Sequence, residues 1–217
     1  PAKAGSSTVV IAGYDLHILS DEGHPIGDNN KGNIVLKLPL PPGCLVGIWG
    51  DDHRLNDAYL KEFPGYYSSG DGGYRDSDGY VFIMGRTDDV INIAGHRLST
   101  GEMEEVVGAH DMVAECAVVG VKDELKGQLP IALVLLKAGA KIDEAQLGSD
   151  IAGMLRNTIG PIAVLKSAYI VSRLPKTRSG KILRKIIRNI ANGEDYVAPS
   201  TIDDPASLDE IKKLLIG

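Results

Sequence analysis

The sequence predicts an α+β protein with a β-rich first part and a separate, small α+β domain as its second part. Residues 8–86 contain short apolar runs broken by Gly, Pro, Asn and Asp, which is the pattern of strands joined by turns. From residue 90 onward, apolar runs alternate with segments of helical periodicity. The charged triplet Thr87-Asp88-Asp89 separates the two patterns. We therefore predict two domains, residues 1–87 and 88–217, with the boundary at this triplet.

Strands are predicted to dominate the first part. The apolar runs T-V-V-I-A-G-Y, L-H-I-L, G-N-I-V-L-K-L and Y-V-F-I-M-G-R lie at residues 8–14, 16–19, 32–38 and 80–86. The segments S-D-E-G-H-P-I-G and D-S-D-G between them are typical of hairpin connections. Residues 55–63 predict one short helix, which should end at Pro64.

The second part is predicted to run hairpin, helix, strand, strand, helix, strand, helix. These segments are residues 90–98, 101–110, 115–121, 131–137, 143–158, 167–174 and 181–192, and a last helix follows near 206–215. Acidic residues in the first turn of the 101–110 segment suit the helix dipole. The 143–158 segment should stop before Gly160-Pro161.

Composition excludes several function classes. The chain has 217 residues, 43 % of them hydrophobic, with a net charge of −6 and a pI near 5.4. This is enough apolar material for a packed core, and the charge gives no attraction to nucleic acid or anionic membranes. No apolar run approaches the roughly 20 residues that cross a bilayer. The five histidines show no ligand spacing, so no metal site is expected.

Two sequence features bear on location and length. Cys44 and Cys116 form no C-x-x-C motif, which predicts buried thiols in a reducing compartment. The cytoplasm is the expected location, or the mitochondrial matrix if the source is eukaryotic. The opening P-A-K-A-G-S-S has no initiator methionine, so we expect it to be the interior of a longer protein.

The segment L-P-K-T-R-S-G-K at residues 174–181 places a lysine after a Ser-Gly pair. It is not a phosphate loop, because Pro175 stands at the first glycine of that motif and Ile182 at its hydroxyl position. Lys181 could neutralise a carboxylate and a phosphate at once. The alternative is a solvated basic helix face that continues through Arg184, Lys185 and Arg188.

The glycine-rich stretch at residues 66–86 raises two other possibilities. A calcium loop with Gly79 as its sixth residue fails, because Tyr74 and Gly85 would occupy its first and last ligand positions. D-S-D-G is therefore interpreted as a hairpin turn. Asp71 lies between glycines, where a ligand can approach closely. Its carboxylate could bind a sugar diol, although spacing alone favours an ordinary turn aspartate.

Three arginines are candidate phosphate ligands. Arg97 belongs to G-H-R after an apolar strand, and Gly95 in that motif permits close approach of a ligand. Arg86 ends another apolar run, and Arg156 lies on the helix before Gly160-Pro161. Taken singly, each is also an ordinary exposed arginine.

Taken together, four motifs are specific. S-G-D at 69–71, G-R-T-D-D at 85–89, A-G-H-R-L-S at 94–99 and P-K-T-R-S-G-K at 175–181 occur in order. The set resembles the C-terminal part of the short-chain acyl-CoA synthetases of the adenylate-forming superfamily, over essentially the whole chain. A-G-H-R-L-S-T-G-E, E-C-A-V-V-G-V and T-I-D-D-P resemble the propionate branch more than the acetate branch.

The resemblance implies a role for each candidate residue. Lys181 matches the lysine required for adenylation. The nucleotide-binding positions are Asp71 for the ribose, with Ser69 in place of the usual threonine, and Arg86 and Arg97. The CoA-binding positions are Gly95, His96 and Arg156, and Asp88 matches the hinge about which a small mobile domain turns. The substrates implied are ATP with Mg²⁺, coenzyme A and a short-chain carboxylate, propionate or acetate.

The resemblance also implies missing parts. Residues 1–87 match only the β-rich end of a large AMP-binding domain, so the family's phosphate loop, Tyr-Gly-x-Thr-Glu segment and acyl pocket would lie upstream. The chain alone is therefore expected to be inactive. Two alternatives are a non-catalytic module that kept the fold and an adenylation domain for another carboxylate that feeds a carrier protein. Retention of Lys181 and Asp88 disfavours the first, and G-H-R with the S-T-I-D-D-P tail disfavours the second.

Overall fold

The chain folds into two compact units in a computed structural model that describes residues 2–51 and 53–216. The N-terminal unit ends at Asp88, and the C-terminal unit begins at Asp89. Each unit has its own sheet and its own apolar core. Within the described residues, no helix is both long and apolar enough to cross a membrane.

The N-terminal unit is an antiparallel four-stranded sheet with its strands in chain order. The strands are β1 (Leu16–Leu19), β2 (Gly32–Lys37), β3 (Tyr66–Arg75) and β4 (Val81–Arg86). The helix predicted near 55–63 is present as a short π-helical turn, Asn56–Leu60. The predicted D-S-D-G turn is confirmed, because the Gly79 amide donates to the Asp76 carbonyl at 3.0 Å.

Two predictions for this unit were wrong. Residues 8–14 form only an isolated bridge, Val9 to Tyr80, because positive φ angles at Thr8 and Gly13 interrupt the extended backbone. Conversely, the glycine-rich stretch around Asp71 is strand β3, the longest of its sheet. A Cβ on Gly73 would lie 2.2 Å from the Phe82 carbonyl oxygen, so close strand contact explains the glycine there.

The C-terminal unit follows the predicted order of elements. They are β5 (Val90–Ile93), β6 (His96–Ser99), α1 (Thr100–Gly108), β7 (Val113–Asp123), β8 (Gly127–Leu136), α2 (Glu144–Thr158), β9 (Ser167–Ile170), α3 (Arg184–Ala191) and α4 (Ala206–Ile216). The sheet order is β6-β5-β8-β7, and β9 adds to β8 as a parallel strand.

Helices cover both faces of this second sheet. Cys116 and Val118 of β7 face a core shared with α1 and α2, whereas Ala117 and Val119 face a core shared with α3 and α4. Alternate residues of one strand are therefore buried on opposite sides, which explains the continuous apolar runs in β7 and β8. The result is a helix–sheet–helix sandwich.

The helix predicted to start at Lys181 starts at Arg184 instead. The three residues before it remain outside the helix, because Ile182 forms a bridge with Lys176 and the Leu183 amide donates to the Pro175 carbonyl at 2.9 Å. Lys181 consequently does not lie on a helix face. This argues against the interpretation of Lys181 as part of a continuous basic surface of α3.

Candidate active site on two units

In the N-terminal unit, Arg86, the last residue of β4, is the centre of a polar cluster beside the middle of β3. Asp71 lies directly opposite Arg86 in the β-ladder. The Arg86 guanidinium donates to the Ser69 carbonyl at 3.1 Å and lies 3.5 Å from a carboxylate oxygen of Asp71. Its Nε lies 3.4 Å from the carboxylate of Asp88. One guanidinium thus contacts three residues, two from the S-G-D motif and one from its own motif, G-R-T-D-D.

Backbone contacts hold this cluster in place. The Ser69 hydroxyl donates to the Ile34 carbonyl at 2.6 Å and accepts from the Asp71 amide at 3.1 Å. Gly70 has φ of +72°, and a Cβ there would lie 2.5 Å from the Arg86 guanidinium. The backbone angle favours glycine at this position, and a side chain there would displace the Arg86 guanidinium. The Asp71 carboxylate is about one-third exposed, so it remains accessible to a diol.

Asp88 lies in a single 3₁₀ turn, Thr87–Asp89, at the division between the two units. The Thr87 hydroxyl donates to the Gly70 carbonyl at 3.2 Å, which ties the start of this turn to β3. The predicted hinge position therefore lies on a short polar connection anchored on its N-terminal side.

In the C-terminal unit, Gly95 and His96 lie at the tip of the β5–β6 hairpin. Ala94 and Gly95 have φ of 48° and 84°, which is the backbone of a tight hairpin turn that requires positive φ at both central residues. The Ala94 amide donates to the Lys126 carbonyl at 2.8 Å. Gly95 and His96 are exposed, and Arg97 pairs across the ladder with Asn92. The hairpin thus presents a fixed, solvent-facing tip.

Lys181 lies at the end of a closed turn, Thr177 to Lys181. The Thr177 amide donates to the Lys181 carbonyl at 2.9 Å, and the Lys181 amide donates to the Thr177 hydroxyl at 3.1 Å. Gly180 takes φ of +83° inside the turn. The Lys181 side chain itself is exposed. A defined backbone therefore carries a lysine that projects into solvent.

A later segment of the chain supports the base of this turn. The Asp203 amide donates to the Lys176 carbonyl at 2.9 Å, and the Arg178 amide donates to the Thr201 carbonyl at 2.9 Å. Thr177 and Ile202 form an antiparallel bridge. Residues before the lysine are therefore bonded on both edges, to 181–183 on one side and to 201–203 on the other.

A half-buried ion pair connects α1 to α3. The Arg184 guanidinium donates from Nε and Nη2 to the two carboxylate oxygens of Glu104, at 2.8 and 2.6 Å. The Val118 amide of β7 donates to the same carboxylate at 2.9 Å. Hydrogen bonding to Glu104 raises the pKa of Arg184 above its usual value. Neither residue was singled out for chemistry by the sequence, since the partners lie 80 positions apart.

Cys116 lies next to this pair and is buried, as predicted. Its thiol donates to the Glu104 carbonyl at 3.4 Å. Burial, together with the negative charges of Glu104 and Glu115, raises the pKa of Cys116 to about 12. It is therefore a structural thiol and not a nucleophile. Cys44 was predicted to be buried but is only partly so, and its sulfur lies 3.1 Å from the Tyr14 hydroxyl.

Arg156 lies in the last turn of α2 and is exposed. It lines a groove of about 280 Å³ together with Ala152, Gly153, Pro161, Ala163, Val164 and Leu165. A cation above an apolar groove suits an anionic group with an apolar neighbour. Among residues 2–51 and 53–216, no group of three or more His, Cys, Asp or Glu could hold a metal.

The predicted site residues therefore form separate groups. Asp71, Arg86 and Asp88 make one cluster in the N-terminal unit. The hairpin with Gly95, His96 and Arg97, the Lys181 turn and the Arg156 groove are three features of the C-terminal unit.

Comparison with known proteins assigns the family. Residues 102–181 match the model described as AMP-binding enzyme C-terminal domain. The chain is 46 % identical to the propionate–CoA ligase of Escherichia coli strain K12 and 44 % identical to human mitochondrial acyl-CoA synthetase short-chain family member 3. Both matches cover 99 % of this chain, and 35 % and 31 % of the respective relatives. The chain thus spans about a third of the length of these relatives.

Solved structures agree with this assignment. The acetoacetyl-CoA synthetase of Streptomyces lividans matches with a TM-score of 0.84 at 26 % identity, over 99 % of this chain and 32 % of that protein. Residues 102–181 therefore carry the AMP-binding enzyme C-terminal domain, and the relatives that match nearly the whole chain are short-chain acyl-CoA synthetases.

Proposed function

We propose that this chain is the C-terminal third of an ATP-dependent ligase that joins a short-chain carboxylic acid to coenzyme A. The names of its relatives support this activity, among them propionate–CoA ligase and acyl-CoA synthetase short-chain family member 3. MatB from Rhodopseudomonas palustris, solved with ATP bound, is also similar in structure, with a TM-score of 0.66 at 26 % identity. The observation that carries the proposal is Lys181, an exposed lysine on a turn whose backbone is fixed on both edges.

In the first half-reaction, a carboxylate oxygen attacks the α-phosphorus of ATP, and pyrophosphate leaves with its bond electrons. Two anions must meet in line, which their mutual repulsion opposes. The Lys181 ammonium between them offsets this repulsion and stabilises the charge that develops on the α-phosphate. Asp71 accepts hydrogen bonds from the ribose hydroxyls, and Arg86 and Arg97 bind nucleotide oxygens. Mg²⁺ enters as part of the ATP substrate.

In the second half-reaction, the thiol sulfur of coenzyme A attacks the acyl carbon, and AMP leaves as the thioester forms. This step needs no cation at the α-phosphate, but it needs a channel for the pantetheine arm. The exposed hairpin tip at Gly95 and His96 suits that channel, because glycine leaves room for a close approach. Arg156 binds a phosphate of the CoA nucleotide. Asp88 is the hinge about which residues 88–217 turn to exchange the two sets of groups.

We infer further that residues 1–87 are the β-rich end of the large AMP-binding domain of the same protein. The upstream domain supplies the phosphate loop and the acyl pocket. That pocket therefore decides how long an acyl group the enzyme accepts. Propionate is the preferred acid, since a propionate–CoA ligase is among the relatives at 46 % identity. The proposed function involves no nucleic acid and no membrane partner. Relatives are bacterial and mitochondrial, so the cytoplasm or the mitochondrial matrix is the compartment proposed.

Replacement of Lys181 tests the proposal in the protein that contains both this chain and the large domain. Lys181→Ala should lower ATP–pyrophosphate exchange roughly a hundredfold or more, because one preorganised charge is lost from the transition state. The same variant should still convert supplied acyl-adenylate and CoA to thioester. The matched control is Lys185→Ala, an exposed lysine on α3.

Exchange near the wild-type rate in Lys181→Ala would reject the catalytic assignment. Equal loss in Lys185→Ala would show that general basicity of this surface matters and not one lysine. The thermal unfolding temperature should change little in either variant, since both side chains are exposed. Acetate, propionate and butyrate compared as substrates then test the acyl preference.

A further inference from the structure

Arg184 and Glu104 form a two-point, largely buried ion pair in the C-terminal unit that the proposed mechanism leaves unused. Arg184 is the first residue of α3 and follows Lys181 by three positions. We propose that Arg184 and Glu104 are positioning residues, which set where the Lys181 turn lies during formation of the acyl-adenylate. This inference rests on the proposed function, and in particular on the role of Lys181 in adenylation.

The pair is well suited to hold a fixed position. Both Glu104 oxygens accept from the Arg184 fork, and the Val118 amide of the central sheet supplies a third donor. The two side chains are only 25 % and 13 % exposed, which limits screening by water. In contrast, the side chains of the pair Lys122–Glu194 are 72 % and 40 % exposed. Arg184 is therefore fixed against the sheet, and not merely attached to a neighbouring helix.

The position of Arg184 is transmitted to the lysine by a short, bonded connection. Only Ile182 and Leu183 separate the two residues. The Leu183 amide donates to the Pro175 carbonyl, and the Leu183 carbonyl accepts from the Ile187 amide at 3.1 Å. The base of the turn and the first turn of α3 thus share one residue. A shift at the start of α3 has to move the turn, and a misplacement of about 1 Å can cost a hundredfold in rate.

The other partner belongs to the element that follows the hairpin. Helix α1 starts directly after β6, and its N-cap Ser99 accepts from the Glu102 amide at 3.4 Å. The hairpin tip at Gly95 and His96 is thus rigidly continued into the helix that bears Glu104. The ion pair connects the support of the adenylation lysine to the support of the thioester-forming hairpin. Loss of the ion pair should change the position of Lys181 more than that of the hairpin, because the hairpin keeps its own strand partners in the sheet.

A purely structural role is the competing explanation, and single substitutions alone do not exclude it. Removing Arg184 leaves the Glu104 carboxylate half-desolvated without a counter-charge, which destabilises folding. Removing both charges avoids this penalty, but it also removes the two hydrogen bonds from the Arg184 guanidinium to Glu104. The double variant Glu104→Gln with Arg184→Met therefore separates stability from position. Arg184→Lys is the conservative variant, since it keeps the charge but loses the planar two-point contact.

The test measures three quantities for each variant of the complete protein. They are ATP–pyrophosphate exchange, thioester formation from supplied acyl-adenylate and CoA, and the thermal unfolding temperature. The double variant should unfold close to the wild-type temperature, while kcat for exchange falls about tenfold to a hundredfold at an unchanged KM for ATP. Thioester formation should stay near wild type. Arg184→Lys should recover part of the exchange rate. Lys122→Gln, in the exposed pair, is the control and should change none of the three.

Two outcomes would overturn the inference. One is a double variant with normal exchange, which means that the turn keeps its place without the pair. The other is an equal loss in both half-reactions together with a lower unfolding temperature, which means a structural role only. Lys181→Ala, measured in parallel, shows whether a negative result contradicts the proposed function or only the positioning role of the ion pair. If that variant keeps its exchange rate, the proposed function is wrong; if it loses exchange while the double variant does not, only the positioning role is wrong.

Discussion

At the residue scale, Gly70 and Arg86 show how one backbone position decides the place of a charged side chain. The nearest guanidinium atom of Arg86 lies 2.5 Å from where a Cβ on Gly70 would be, and the guanidinium contacts Ser69, Asp71 and Asp88. A larger residue at position 70 would move the arginine off this cluster. The proposed nucleotide site therefore depends on a residue that has no side chain.

Gly70→Ala should raise the KM for ATP about tenfold in the complete protein, because at least one charge-assisted hydrogen bond of Arg86 is lost. The matched control is Gly65→Ala. Gly65 also has positive φ, at +87°, but nothing lies within 4 Å of its Cβ position. Both variants carry similar backbone strain, so their stability should fall by a similar amount. Only Gly70→Ala should weaken the binding of ATP. An equal change of KM in both variants would assign the effect to strain alone.

At the element scale, the starts of α1 and α2 are each capped by a single side chain. Asp143 caps α2 by accepting from the Gln146 amide at 2.9 Å, and Ser99 caps α1. Helix α2 buries Leu147, Ile151 and Leu155 against the sheet. Its start therefore affects the whole core on that side. Helix α3, by contrast, has no side-chain cap; the Ile186 and Ile187 amides donate to the Leu183 carbonyl, and Arg184 in its first turn contacts Glu104.

Asp143→Ala should lower the free energy of unfolding by about 1 kcal/mol, the usual effect of losing an N-cap acceptor. Chemical denaturation of the complete protein, followed by a signal assigned to the C-terminal unit, measures the change. Glu124→Ala is the control, because Glu124 is an exposed residue of the β7–β8 turn. We expect a change within about 0.5 kcal/mol there. A loss no larger in Asp143→Ala than in the control would show that the cap contributes nothing.

At the scale of the whole molecule, the chain is two units joined at Asp88 and Asp89. Each unit buries its own core, so neither fold requires the other for its apolar contacts. The connection is one short turn, and its polar residues are hydrogen-bonded on the N-terminal side. This is the arrangement expected of a hinge, where a few residues absorb the backbone change.

Asp88→Pro should impair one half-reaction far more than the other. Proline fixes φ near −65° and restricts Thr87, so it holds the connection in one state. Exchange and thioester formation, measured on the same preparation, report this directly. A neutral control, Asp88→Asn, keeps the backbone free and separates restriction from loss of the Arg86 contact. Equal loss in both half-reactions for Asp88→Pro, with a lower unfolding temperature, would indicate misfolding and argue against a hinge.

The sequence alone determined the class of fold, the order of elements after residue 90 and the family, because these depend on apolar periodicity and on four spaced motifs. It failed at residues 8–14, at β3 and at the start of α3, where positive φ angles, close strand contact and a bridge overrule local propensity. Only the tertiary structure showed that Asp71 and Asp88 both contact the guanidinium of Arg86, and that Glu104 binds Arg184. Such contacts join residues up to 80 positions apart, and no local pattern encodes them.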